Sequence, residues 1–97
     1  MGASPEDLPR RAGDVPLPGG NFRLFVTRLS IQGMLALGIL ENPLTRTREK
    51  NLAQASMLVD DLRMLREKTA GNLDAEEVEH LDKVIEDLSY ALERDEL

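Results

Sequence analysis

Between Asn21 and Leu40 the apolar residues are too dense for a helix with a single buried side. At about 100° per residue, Phe22, Phe25, Val26, Leu29, Gly33, Ala36, Leu37 and Leu40 fall into one stripe. Leu24, Ile31, Met34 and Leu35 form a second stripe across from it, separated from the first by Arg23, Thr27 and Ser30 on one flank and by Arg28 and Gln32 on the other. A helix that is apolar on two sides needs two neighbours. Gly33 and Gly38 fall inside this first helix, at positions where a missing side chain lets another backbone approach. The polar interruptions leave no run of about eighteen apolar residues, so the pattern predicts no membrane span.

Residues 41–50 read as a loop, because Asn42-Pro43 disfavours helix and favours a turn. A second helix opens at Asn51, a good N-cap with Gln54 three residues on, and Leu52, Ala55, Leu58, Val59, Leu62 and Leu65 line one of its faces. Met57 and Met64 sit seven apart on its outward side, where polar groups are usual, and form a candidate contact strip. A third helix runs from Ala75 to Arg94 with Val78, Leu81, Ile85, Leu88 and Leu92 at spacings of three and four, a seam suited to packing along helix 2. Between these two helices Gly71 supplies a left-handed backbone, Asp74 and Glu77 form a capping box, and Leu73 with Val78 makes the accompanying staple. So short a turn folds them into an antiparallel hairpin. The predicted architecture is all-α: three helices, with helix 2 and helix 3 paired and packed on an apolar helix 1.

Residues 1–20 hold four of the five prolines and four of the seven glycines, with little to bury, and read as a disordered leader ahead of a three-helix domain over 21–97. At 97 residues the chain is one small domain, for which a partner subunit is a plausible source of stability. There is no cysteine, which removes disulfides, thiol nucleophiles and Cys-based zinc sites. The start, Met-Gly-Ala-Ser-Pro-Glu-Asp, has neither the basic and apolar run of a secretory signal nor a myristoylation motif, and the reading is cytoplasmic. Charge is uneven: residues 1–50 carry seven Lys/Arg against five Asp/Glu, residues 51–97 five against thirteen. The acidic hairpin argues against nucleic acid as a partner of helix 3.

Ala36-Leu37-Gly38, Asn42-Pro43, Asn51-Leu52 with Ala55, Asp61-Leu62, Met64-Leu65 and the run Lys68-Thr69-Ala70-Gly71-Asn72-Leu73 together resemble a family of small bacterial proteins catalogued as a domain of unknown function, DUF1844. The resemblance covers about residues 22–92. Where that family often has Thr-Gly in the loop, this chain has Thr45-Arg46, and the aromatic end associated with the family is shifted to Tyr90. The resemblance implies a soluble helical protein and carries no activity with it.

No constellation commits the chain to a reaction. His80 is the only histidine, and Glu77-Val78-Glu79-His80 has the Glu-x-x-His spacing of carboxylate-bridged metal bundles. With Val78 and Leu81 on the seam, however, His80 points outward and Glu77 is spent on the cap, so the expectation is a surface histidine and no metal or other cofactor. A Ser-His-Asp centre would need Ser30, Ser56 or Ser89 beside His80 and a framework the helices do not provide. Asp60 and Asp61 point about 100° apart and share no site. Arg46, Arg48 and Lys50 precede the start of helix 2, where backbone donors favour an anion, and are the candidate small-anion or nucleic-acid contact. The favoured reading is association: Leu24, Ile31, Met34 and Leu35, with Met57 and Met64, offer an interface for a homodimer, the alternatives being a monomeric bundle that wraps helix 1 and a different protein partner.

Overall fold

The computed structural model describes residues 20–96, so the proline-rich leader expected over 1–20 lies outside the described residues except for Gly20. Three helices are present, α1 (Asn21–Ala36), α2 (Leu52–Lys68) and α3 (Ala75–Glu96), and each packs against the other two. Val26, Leu62 and Leu81, one from each helix, are completely enclosed where the three meet. Burying side chains of this size contributes roughly 1.5–3 kcal/mol apiece. Ala55, Leu58, Val59 and Leu62 form the buried face of α2, as the pattern predicts.

The α2–α3 turn follows its sequence signals. Thr69 ends α2, with its backbone N–H on the Leu65 carbonyl and its hydroxyl on the same oxygen at 2.7 Å. Gly71 takes the left-handed backbone at φ 85°, and the capping box closes in both directions. The Glu77 N–H donates to Asp74 Oδ1 at 2.8 Å, and the Asp74 N–H donates to Glu77 Oε1 at 2.9 Å. Four otherwise unpaired N–H groups at a helix start are thereby reduced by two.

Helix 1 is shorter than its apolar run. It stops at Ala36, because Gly38 adopts φ 74° and the chain closes a double reverse bond: the Ile39 N–H donates to the Met34 carbonyl at 2.9 Å and the Gly38 N–H to the Leu35 carbonyl at 3.1 Å. That is a Schellman end, and it makes Gly38 a terminator where the pattern placed it as a packing position inside the helix. Leu37 and Leu40 stay buried, but as part of the following segment.

That segment doubles back as a small hairpin. Leu37 bridges Lys50, Asn42 bridges Thr47, and the Asn51 N–H donates to the otherwise free Ala36 carbonyl at 2.7 Å. The end of α1 is thus fastened to the start of α2, and the two helices run back past each other. At the hairpin tip the Asn42 side chain accepts from the Leu44 N–H at 2.9 Å, the Asn42 carbonyl accepts from the Arg46 N–H at 2.7 Å, and Arg46 sits at φ 57°. A left-handed arginine carries a steric cost that glycine escapes.

In α1 one stripe position packs as closely as its pattern predicts, while one stripe residue and one flank residue exchange places. Gly33 is the closest approach in the core: a Cβ there would stand 2.8 Å from Leu88 Cδ1, so α3 sits directly on the α1 backbone. Phe25 turns outward and is 43% exposed, while Thr27, read as a polar flank, is only 5% exposed. The reason is the position of α3, which approaches α1 from the Thr27 side and draws the buried face toward it. For the same reason Val84 joins Leu81, Leu88 and Leu92 in the core, since α3 meets α1 as well as α2.

Two substitutions test this geometry by thermal unfolding. Gly33→Val forces a branched side chain into the space held by the enclosed Leu88 and is expected to cost about 1–3 kcal/mol. Arg46→Gly relieves the left-handed backbone and is expected to stabilise by up to about 1 kcal/mol, a rise of roughly 4–8 °C per kcal/mol in melting temperature for a domain of this size. A lowered melting temperature for Arg46→Gly would contradict the assigned tip conformation.

Candidate interaction surface

Among the described residues the large apolar side chains most exposed to water are Phe25, Ile39, Leu44, Met57, Met64 and Tyr90, at exposures from 43% for Phe25 to 92% for Leu44. Three of them share one face. Phe25 and Gln32 are seven residues apart and therefore on one side of α1, and Gln54 and Asp61 share a side of α2 in the same way. Gln32 and Gln54 line opposite walls of a groove of about 630 Å³ between the end of α1, the hairpin and the start of α2, with Leu35 and Leu52 between them. Phe25 and Asp61 hence continue those two walls toward the other end of the helices. Phe25 lies about 16 Å back along α1 from the fastened Ala36–Asn51 junction, level with the stretch of α2 around Asp61 and Leu62. Met57 and Met64 flank Asp61 one turn away on either side and point away from the buried Ala55, Leu58, Val59 and Leu62.

The six residues singled out as an interface separate into three kinds. Met57 and Met64 stand out into solvent at 65% and 49%. Leu24, Ile31 and Leu35 are half-buried, Leu35 in the wall of the groove. Met34 packs against the core. Phe25 was assigned to the core stripe, and its angular position at the edge of that stripe was the one signal of its exposure. Leu44 follows Pro43 in a polar turn with no periodicity from which to read its direction.

The basic loop is spread along the hairpin. Lys50 Nζ is 3.1 Å from Asp95 Oδ1, which ties the hairpin to the end of α3, whereas Arg46 and Arg48 are exposed and have no ion pair among the described residues. At the same end of α3, Arg94 lies over the Tyr90 ring at 5.3 Å and donates to its hydroxyl at 2.8 Å.

His80 is not a free surface side chain. Its Nε2 is 3.0 Å from Thr27 Oγ1, one turn along from the Arg23–Glu76 pair at 3.2 Å, so α1 and α3 are joined by two successive rungs. The outward direction deduced from the α2–α3 seam took no account of α1 on the other flank of α3. Burial lowers the pKa of His80 from its ordinary 6.5 and the nearby Arg23 cation lowers it further, while contact with the Arg23 main chain opposes them. Ser89, one of the serines weighed with His80, instead accepts from Arg63 at 3.1 Å. Among the described residues no three His, Asp or Glu side chains gather where they could hold a metal ion, and no helix is long and apolar enough to cross a membrane.

One family model, described as a domain of unknown function (DUF1844), matches residues 20–94. Neither a curated protein nor a solved structure matches the chain.

The neutral ring of His80 is the form the fold favours, while in the unfolded chain it takes up a proton near pH 6.5. Its contribution to stability is therefore complete above pH 6.5 and shrinks as the pH falls below that value. Melting temperature against pH for the wild type and His80→Gln should show a difference that changes below pH 6.5, with the wild type losing more. Parallel curves through that range would show that His80 titrates alike in both states.

Proposed function

The chain belongs to the DUF1844 family, and on that premise we propose that it is a non-catalytic protein-interaction module of the cytoplasm that works by pairing with a second copy of itself. The observation that carries the reading is the exposure of Phe25, Met57 and Met64 on one face, apart from the exposed Ile39, Leu44 and Tyr90 on the hairpin and α3. Contiguous apolar surface of this kind marks association sites, and methionine suits them because its flexible thioether adapts to a facing surface. Closed two-fold pairing is the commonest way for a small domain to cover such a face. Two further facts support a binding role over a catalytic one. The single imidazole is engaged with Thr27, and the chain has no thiol, so a free histidine base and a cysteine nucleophile are both missing.

Light scattering or sedimentation should return a mass of twice 10.8 kDa at micromolar concentration. The double variant Met57→Glu, Met64→Glu should return the single mass with its helical circular dichroism intact, since both side chains point away from the core. A wild type that keeps the single mass up to millimolar concentration would end the proposal.

A further inference from the structure

Resting on that self-association, we propose that the second copy docks on the α1–α2 face about a two-fold axis, seating Phe25 of each chain between Met57 and Met64 of the other and pairing each Arg28 with the other chain's Asp61. The charges on this face complement one another across the two helices. Arg23 and Arg28 are the charged residues of α1, which has no acidic side chain, and Arg23 is taken up by Glu76. Arg28 is exposed and has no ion pair among the described residues. On α2, Asp60 is occupied by Arg63 at 3.9 Å, whereas the exposed Asp61 has no such partner among the described residues and is the one carboxylate beside Met57 and Met64 left for Arg28, with the exposed cation Lys68 two turns on along the same side.

The spacing matches too. Phe25 and Arg28 are three residues apart on α1, as are Asp61 and Met64 on α2, so each helix offers an apolar group and a charge of opposite sign one turn apart. Met57 and Met64 are two turns apart, about 10 Å along the axis, with the shorter Asp61 between them, so an aromatic ring can lie over that side chain with a sulfur at either end. Sulfur at the edge of a ring about 5 Å away is a favourable contact. Because one chain carries both halves of the arrangement on one face, the face is complementary to itself. A two-fold operation then satisfies both copies and closes, with no free end to extend a filament.

The test is a charge exchange read by sedimentation equilibrium on the full chain. Arg28→Asp and Asp61→Arg should each weaken the dimer about tenfold or more, and the double exchange should recover most of that loss. Phe25→Ala should weaken it about thirtyfold as the central anchor. Both charged positions are exposed, and unchanged circular dichroism will verify that each variant folds. A wild-type dimer that ignores the single exchanges, or whose double exchange fails to recover, overturns this docking while leaving self-association standing. A double exchange that restores melting temperature but not the doubled mass places the pair within one chain and overturns it too. A monomeric wild type removes the self-association and this docking together.

Discussion

Contact between the Gly33 backbone and the methyl groups of Leu88 sets the spacing of the whole bundle. A Cβ at Gly33 would stand only 2.8 Å from Leu88 Cδ1, so the buried Leu88 side chain keeps its place against α1 only while position 33 has no side chain. The close approach brings Thr27 within hydrogen-bonding distance of His80 and Arg23 within reach of Glu76. It also rolls α1 so that Thr27 is buried and Phe25 is turned out. An aromatic side chain at the surface is therefore the other side of a glycine in the core.

The second constraint is the fastening of α1 to α2. Gly38 ends the first helix, the hairpin returns the chain, and the Ala36 carbonyl is satisfied by the Asn51 N–H, whose own side chain caps α2 by accepting from the Gln54 N–H at 3.1 Å. Helix ends normally leave several backbone groups unpaired, and here one residue satisfies groups on two helices at once. The arrangement puts the open wall of α1 beside the open wall of α2. Phe25 and Asp61 stand across from each other as a result.

Polar ties around the bundle hold direction more than they add stability. Arg66 reaches Asp82 at 2.7 Å and Arg63 reaches Ser89, joining α2 to α3, while Lys50 ties the hairpin to Asp95. Pairs this exposed contribute about 0–1 kcal/mol each. Their consequence lies in which charges they consume. Once these pairs and Arg23–Glu76 are made, the α1–α2 face retains Arg28, Asp61 and Lys68 beside its apolar groups, and that mixed charge distinguishes it from the acidic surfaces elsewhere on α2 and α3.

Much of the architecture was legible in one dimension because it rests on local rules. The capping box at Asp74 and Glu77, the left-handed Gly71, the Asn51 cap and the buried stripe of α2 each depend on residues within one or two turns of one another, and periodicity and cap chemistry report such things directly. The outward direction of Met57 and Met64 was legible for the same reason. What those rules could not supply was the angle at which α3 meets α1. A helix apolar on two sides has no preferred roll until a neighbour is placed, so the exposure of Phe25, the burial of Thr27 against His80 and the packing of Met34 followed only from long-range contact. Likewise Gly38 fits a helix interior or a helix end equally well by pattern, and the hairpin bonds that join residues 36 and 51 decided between them. Sequence alone determined three helices, the caps that bound α2 and open α3, and a surplus of apolar surface, because those follow from neighbours along the chain; tertiary structure decided where α1 ends and where the surplus faces, because that depends on how the helices pack.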